Sequence, residues 1–313
     1  MDFQLYKKML GEWAYKQEPV FIMGPERSGT SLLFQQVSNH PDFCDFSHAT
    51  VETFCFVKPW LLLQESSPEN YEIRVYLGKN QLEQFQESIS PLIERNKMLN
   101  EQGMSLEYLN QANKQEIWYE RRYKHVIRAF FYHSWKNLGE KRLVEKTPAH
   151  IRCVKEILDA FPKAKLLICT RDPSEIIASH KKRYLKEIEL GKRADDPSID
   201  WLSHSTEKYL KYFLNIDRII NILKKNDSDK MKLVPYGDLT LSPTNTLQDV
   251  FTFIGSNYSA VNSVNTRHRN EQAWDPLLNQ APQKNIINVN DFIPEYERDL
   301  IAEKAHLFSD FWR

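Results

Sequence analysis

Four short apolar runs recur along the chain, and each is followed by polar residues and then by a helix-like pattern. The first run is residues 20–23 (VFIM), which meets the turn signal Gly24-Pro25; the others lie at 142–144, 164–169 and 232–235. Runs of this length between turn residues are typical of buried strands. Strands that alternate with helices predict an α/β protein, here a P-loop-type parallel β-sheet flanked by helices.

The helical segments between these runs have recognisable beginnings. Asp172, Pro173 and Glu175 form a capping-box-like start. Residues 244–254 predict a helix after the last strand, and a further helix is expected after residues 145–148, running to about residue 160. Residues 68–137 carry aromatic side chains at helix-like spacings, which predicts an inserted helical layer over the active site. Most of these aromatic side chains are expected in the core. A chain of 313 residues can bury one large core, and α/β folds of this length often form a single domain, so residues 1–313 are expected to form one.

The segment after the first strand has the glycine spacing of a phosphate-binding loop. It reads GPERSGTS over residues 24–31. Backbone N–H groups at a helix N-terminus bind phosphate oxygens in such loops. The nucleotide-triphosphate signature GxxxxGK[ST] has a lysine where this chain has Thr30, and the cation lies inside the loop instead, at Arg27. A P-loop kinase or ATPase is therefore the weaker alternative, and an ordinary turn with a surface arginine is another.

A second motif changes this picture. Arg171 follows the third strand, and Ser179 lies eight residues later, about two helical turns along. RDPSEIIAS and GPERSGTSLL together resemble the two donor-binding signatures of the sulfotransferases that use 3′-phosphoadenosine-5′-phosphosulfate (PAPS). The resemblance implies PAPS as co-substrate, its product PAP, and no metal. It implies that the loop holds the 5′-phosphosulfate and that Arg171 and Ser179 hold the 3′-phosphate. The implied loop contacts are Arg27, Ser28, Gly29, Thr30 and Ser31.

Two further segments are similar to the same family, so that the resemblance covers roughly residues 19–255. EKTP at 145–148 resembles an element of glycan, tyrosylprotein and bacterial sulfotransferases whose lysine points at the sulfuryl group, which implies a catalytic role for Lys146. Arg27 and Lys146 are the candidates for stabilising the charge of the group in transfer. YGDL at 236–239 resembles the late YEDL element, with Gly237 in place of the acid, and implies that Tyr236 lies near the nucleotide. Arg27 and the lack of a clear GxxGxWK indicate the bacterial and Golgi-type branch, with the subfamily open.

The general base and a last basic contact have several candidates. In several subfamilies a glutamate in the region of SHATVETFCF (residues 47–56) takes the acceptor proton, which implies Glu52 as the base. His48 is the second candidate and His180 the third. The basic turn at residues 267–269 either contacts the 3′-phosphate or is simply solvated; its members are Arg267, His268 and Arg269.

Charge and composition restrict the partners. The chain has 42 basic and 42 acidic side chains and a net charge of zero, so no whole-surface attraction to nucleic acid or anionic lipid is expected. The same balance favours a small-molecule or carrier-bound acceptor, with a hydroxyl or amine, over an anionic glycan, which is the alternative acceptor. A non-catalytic binding module on the same scaffold is a further alternative.

Targeting and cysteine patterns indicate where the protein works. No apolar run reaches the roughly 18 residues of a membrane span, and the N-terminus lacks a signal-peptide pattern. The four cysteines form no CxxC pair and have no zinc-like histidine spacing. These features predict a reducing, cytoplasmic setting without a structural metal.

Overall fold

Four parallel strands form the sheet at the centre of the molecule. The computed structural model describes residues 2–44, 52–63, 71–101, 123–258 and 287–312. In chain order the strands are β1 (Val20–Met23), β2 (Val144–Lys146), β3 (Lys165–Thr170) and β4 (Met231–Pro235). Their order across the sheet is β2-β1-β3-β4, and each neighbouring pair is parallel. The predicted α/β class with a parallel sheet is confirmed.

Ten α-helices surround this sheet in the described ranges, joined in places by short 3-10 turns. They are α1 (Phe3–Lys16), α2 (Thr30–Ser38), α3 (Tyr71–Glu101), α4 (Lys124–Asn137), α5 (Val154–Ala160), α6 (Pro173–Glu189), α7 (Thr206–Asn226), α8 (Tyr236–Leu241), α9 (Pro243–Ile254) and α10 (Glu295–Lys304). None of the helices that the structure describes combines the length and the apolar character needed to cross a bilayer.

The parallel register places all four strand ends at one edge of the sheet. Val20 pairs with Val144 and Ile22 with Lys146, so the end of β2 lies beside the start of the phosphate-like loop. Open α/β sheets bind ligands at this carboxyl edge because the loops that follow the strands converge there. The four loops that carry the predicted motifs therefore leave the same side of the molecule.

Strand β2 begins two residues later than the sequence predicted. Residues 142–144 were expected as the strand, whereas Arg142 makes only an isolated bridge to Phe43. Its guanidinium Nε donates to the Glu18 carbonyl at 2.5 Å, at the rim of the sheet. Val144, by contrast, is fully buried and pairs with Val20, the first residue of β1, so the ladder between the two strands begins there. As a result Lys146 is the last residue of a strand rather than part of a turn.

The core is built on the apolar faces of β1. All four β1 side chains are buried. The Phe21 ring packs against Phe56, Phe131 and Phe161, with centroids 5.7, 5.7 and 6.1 Å away. Full burial of one such ring stabilises the fold by about 1.5–3 kcal/mol. Phe131 belongs to α4, so the aromatic side chains of the predicted helical insertion contribute to the core, as expected.

The predicted helical insertion at 68–137 is helical in its described parts, α3 and α4. The helix α3 breaks at Gly78, whose φ is 58°. A Cβ at this position would lie 2.6 Å from Asn137 Oδ1, and Asn137 Nδ2 donates to the Tyr76 carbonyl at 3.0 Å. The break therefore lets the end of α4 pack closely against α3. Whether this layer covers the active site stays a prediction, as does the single domain.

The helix starts follow the sequence in one case and differ in another. Asp172 accepts hydrogen bonds from the amides of Ser174 (2.8 Å) and Glu175 (3.2 Å), which confirms the predicted cap of α6. After EKTP, however, a continuous helix to residue 160 was predicted, and the chain forms a 3-10 helix at Pro148–Cys153 before α5. Within this turn the His150 ring accepts from the Phe56 amide at 3.3 Å and donates to Glu145 at 2.9 Å.

Candidate functional site

The loop between β1 and α2 passes so close to its neighbours that two positions accept only glycine. Gly24 has φ 142°, and a Cβ there would lie 2.3 Å from the Cys169 carbonyl oxygen of β3. Gly29 has φ 96°, and a Cβ there would lie 2.7 Å from the Tyr236 ring. Both φ values are in the region that favours glycine. The structure therefore places Tyr236 directly against the loop.

The loop ends at the N-terminus of α2, where an anion would meet backbone amides. Gly29 is the N-cap, and no side-chain hydrogen bond within the described residues caps this helix. Helix N-termini carry amides without intrahelical partners. Thr30 is buried and Ser31 is partly buried in the first turn. Ser28 is different, because its fully buried hydroxyl donates to the Pro25 carbonyl at 2.7 Å and so shapes the loop.

Arg27 joins the two predicted donor motifs. Its Nε donates to Ser179 Oγ at 3.0 Å, and its carbonyl oxygen accepts from Arg171 Nη1 at 3.2 Å. Its φ is 69°, a left-handed conformation that costs a non-glycine residue of order 1–3 kcal/mol. Residues that are 152 positions apart in sequence thus form one cationic cluster at the sheet edge.

Arg171 retains an unused donor in this cluster. The side chain is only 5% exposed. Its Nε donates to Glu175 at 2.8 Å, and the guanidinium carbon lies 4.2 Å from the Tyr236 ring centroid. Its Nη2 is buried and has no hydrogen-bond partner among the described residues, and the same is true of Thr170 Oγ1. A buried donor without a partner costs about 1–3 kcal/mol. An oxyanion bound here would satisfy it, so these residues fit a phosphate group.

The two predicted catalytic residues meet at the end of β2. Lys146 Nζ donates to Glu52 Oε1 at 2.7 Å, although the residues are 94 positions apart. The Lys146 side chain is 6% exposed and that of Glu52 is 29% exposed. The pair therefore lies at the mouth of the site with the lysine inside and the carboxylate nearer to solvent.

Glu145, which the sequence analysis did not single out, is the most densely bonded acid of the site. The side chain is buried and accepts hydrogen bonds from Thr147 Oγ1 (2.6 Å), Thr53 Oγ1 (2.9 Å) and His150 Nδ1 (2.9 Å). Burial raises its pKa, but the His150 ring and the two hydroxyls outweigh burial and hold the pKa below the ordinary value of 4.5. The spacing of acid, threonine and histidine in EKTPAH was the signal that could have revealed it.

Glu26, inside the loop, has the opposite electrostatics and was also missed. Burial raises its pKa above 4.5, and the Tyr212 hydroxyl and Arg152 offset this only in part, while Glu52 adds to it. A raised pKa is expected where burial disfavours the charged form of a carboxylate and the surrounding donors offset this only in part. Nothing in its sequence position separates it from an ordinary loop acid.

Of the histidine candidates, the structure describes only His180. Its ring is buried, packs 4.8 Å from the Tyr209 ring, and donates from Nδ1 to the Ile176 carbonyl at 2.9 Å. Burial, together with Arg27, lowers its pKa to about 4, so it binds a proton weakly at neutral pH. His48 and the basic turn with Arg267, His268 and Arg269 lie outside the described residues.

The fold and the site together define an α/β protein with a P-loop-like turn and a cationic cluster at its sheet edge. Comparison with protein families identifies which class this is: the profile of the sulfotransferase family matches residues 19–260, and the chain belongs to that family. This confirms the predicted family and sets aside the kinase or ATPase alternative. A comparison with curated protein sequences found no match.

Solved structures of sulfotransferases resemble the chain at low sequence identity. Sulfotransferase STF9 from Mycobacterium avium has a TM-score of 0.51 and 13% identity, covering 98% of this chain and 81% of that one. The sulfotransferase domain of the Synechococcus PCC 7002 olefin synthase has a TM-score of 0.46 and 17% identity, covering 93% and 96%. The first of these likenesses shows the shared fold.

Proposed function

We propose that this chain transfers a sulfuryl group from PAPS to a hydroxyl or amine of a small-molecule or carrier-bound acceptor. The observation that carries the proposal is the contact of Arg27 with both Ser179 and Arg171, because a nucleotide bound at its 5′ and 3′ ends by the two motifs requires those motifs to be neighbours. The family match supports sulfuryl transfer, and the unused Nη2 of Arg171 supports an anionic ligand at the 3′ end.

In this proposal the donor is held at two ends. The α2 amides and Arg27 bind its 5′-phosphosulfate, since a helix N-terminus and a guanidinium both favour oxyanions. Arg171 Nη2 and Ser179 Oγ bind the 3′-phosphate, the group that distinguishes PAPS from other adenine nucleotides. Tyr236, whose ring lies against the Arg171 guanidinium, keeps the Arg171 Nη2 group in place.

The transfer step follows from the pair at the end of β2. The acceptor oxygen or nitrogen attacks sulfur in line with the bond to the leaving phosphate oxygen; the new bond to sulfur forms as the old one breaks, and PAP leaves with that electron pair. Glu52 takes the acceptor's proton. Lys146 has three N–H donors, so it keeps its bond to Glu52 and directs another at the sulfuryl oxygens. The proposal needs no metal, because sulfuryl carries less charge than phosphoryl.

A screen of candidate acceptors with PAPS tests the proposal. Purified protein is incubated with PAPS and with hydroxyl- and amine-containing small molecules, acyl-carrier-bound hydroxyacyl chains and glycans, and mass spectrometry follows the gain of one sulfuryl group. Transfer to a small or carrier-bound acceptor, lost in K146A, is the expected result. Transfer only to glycans would favour the alternative acceptor class. Tight PAP binding without any transfer would favour the non-catalytic binding module.

A further inference from the structure

The segment that carries Glu52 is held by side chains rather than by secondary structure. Residues 52–54 belong to no helix or strand, yet the four amides of residues 53–56 are all hydrogen-bonded to side chains. The Thr53 amide donates to Glu145 Oε1 at 3.3 Å, and the Phe54 amide donates to Thr147 Oγ1 at 3.4 Å. A loop that lacks the backbone hydrogen bonds of a helix or sheet is held in position by such side-chain hydrogen bonds.

The next two amides of the segment use the same network. The Cys55 amide donates to Thr53 Oγ1 at 3.3 Å, and the Phe56 amide donates to His150 Nε2 at 3.3 Å. Because Nε2 accepts from an amide, the ring proton of His150 lies on Nδ1, where it is donated to Glu145 Oε2 at 2.9 Å. The imidazole therefore accepts a hydrogen bond from the loop and donates one to Glu145.

The hydroxyls of Thr53 and Thr147 bridge the loop and Glu145 in the same way. Each accepts a loop amide through its oxygen and donates its single hydrogen to Glu145 Oε1, at 2.9 Å from Thr53 and 2.6 Å from Thr147. All of these chains of hydrogen bonds end on one carboxylate. Only a group with acceptors and no hydrogens can close them, so the ionised form of Glu145, which the lowered pKa favours, is the form that the loop requires.

Glu145 and Lys146 are consecutive on β2, and consecutive strand side chains point to opposite faces. Lys146 reaches Glu52 directly at 2.7 Å. Glu145 holds the backbone one residue beyond Glu52, through both the amide and the hydroxyl of Thr53. One short strand thus sets both members of the pair, the lysine by its own side chain and the glutamate through the loop.

We propose that Glu145 is a positioning residue for sulfuryl transfer, whose buried carboxylate fixes residues 53–56 so that Glu52 stays aligned with Lys146. The role rests on the proposed function of that pair. Displacement of a catalytic group by about 1 Å can lower a rate roughly 100-fold. Replacement of Glu145 by glutamine puts an NH₂ group where at least one donor now points, and so releases the loop while keeping the size of the side chain.

The first experiment compares E145Q with the wild type and with E189Q, a change of the same kind on an exposed acid. In E145Q, hydrogen exchange of the amides of residues 53–56 should rise at least about tenfold, and kcat should fall about 10- to 100-fold. PAP affinity by calorimetry should stay within about twofold. E189Q should match the wild type in all three. Unchanged exchange, or faster exchange with unchanged kcat, would overturn the proposal.

A double-variant cycle separates positioning from plain structural support. If Glu145 acts through Glu52, adding E145Q to E52Q should lower kcat little further, because the interaction is already lost. Multiplying effects, together with weaker PAP binding, would show a general structural role instead. Should E145Q fail to fold, T147V removes only the link to Phe54 and should change exchange and kcat in the same direction, with T147S restoring both.

The outcomes also separate this proposal from the proposed function. Absence of sulfuryl transfer by the wild type to every acceptor class would overturn the function and the positioning role together. The exchange measurement needs no activity, so it still decides whether Glu145 holds the loop. Normal wild-type transfer with an unaffected E145Q would overturn the positioning role alone.

Discussion

The two ends of the cleft each carry a glutamate in a poorly solvated place, and the two behave in opposite ways. At the phosphate-loop end, burial raises the pKa of Glu26, and its neighbours do not compensate. At the transfer end, burial also raises the pKa of Glu145, but His150 and two threonine hydroxyls more than reverse the effect. Burial alone does not decide the charge of a buried acid; the number of donors aimed at it does.

The cationic side chains at the two ends of the site also differ in their hydrogen bonding. Arg171 keeps a buried Nη2 without a hydrogen-bond partner in the described residues, whereas Lys146 is bonded to Glu52 at 2.7 Å. At one end a buried N–H group is left for an incoming anion, whereas at the other end the cation and a carboxylate already contact each other. This difference is consistent with the proposed anion binding at the first end and with a fixed contact between Lys146 and Glu52 at the second.

The largest effect is expected from E52Q, which removes the proposed proton acceptor at the transfer end. General-base contributions are typically 10²–10⁴-fold, so kcat should fall by about that factor, while PAP affinity should change little because the proposed partner of Glu52 is the acceptor. Steady-state kinetics and calorimetry measure the two quantities, with E189Q as the matched surface change. Turnover near that of the wild type would transfer the base role to His48.

A smaller effect is expected from R171A at the phosphate end. Loss of a charge-assisted contact of about 1.5–3 kcal/mol should weaken PAP binding about 10- to 150-fold. Binding of adenosine 5′-phosphosulfate, which lacks the 3′-phosphate, should change much less. R193A serves as control, since Arg193 is exposed and pairs with Asp195. An equal loss for both nucleotides would mean that Arg171 supports the loop through Arg27 and does not contact the 3′-phosphate.

The variant S179A should have a weaker effect than R171A. It removes one neutral hydroxyl, which accepts from Arg27 Nε at 3.0 Å, and such a contact is worth about 0.5–1.5 kcal/mol. PAP affinity should therefore fall about 2- to 12-fold in calorimetry. The exposed Ser203, whose hydroxyl bonds only locally to the Asp200 carbonyl, provides the matched S203A control. A loss as large as that of R171A would contradict the division of roles.

Glu145 and Glu26 are expected to make the free energy of unfolding depend on pH in opposite directions. Glu145, with a lowered pKa, stabilises the fold above pH 4.5, and this contribution is lost as the pH falls through its folded value. Glu26, with a raised pKa, contributes stability below pH 4.5 that is lost as the pH rises through its folded value. The free energy of unfolding of the wild type relative to E145Q should grow with pH, and that relative to E26Q should shrink.

Each slope is bounded by about 1.4 kcal/mol per pH unit, because a single group titrates. Urea unfolding of the three proteins between about pH 3 and 7 measures both differences, because the Glu145 slope lies below pH 4.5 and the Glu26 slope lies above it. Slopes of the same sign would contradict the conclusion that the hydrogen-bond donors around each glutamate set the direction of its pKa shift.

Much of the fold and half of the site could be predicted from local sequence. Apolar runs with turn signals identified the strands, since the residues of a strand are contiguous and its burial shows in its composition. The phosphate loop and the Arg171 motif were recognisable for the same reason: glycine spacing, a strand end and a helix cap are all local. The start of β2 was misplaced because the register depends on which residue faces Val20 across the sheet.

What only the tertiary structure decided is how separate segments meet. The contact between Lys146 and Glu52 joins residues 94 positions apart, and the bond between Arg27 and Ser179 joins residues 152 positions apart. The charge state of Glu145 depends on donors from two segments that converge on one buried atom pair. Hydrogen bonds and desolvation act over a few ångströms in space, so a linear sequence can name the groups but cannot show which of them become neighbours.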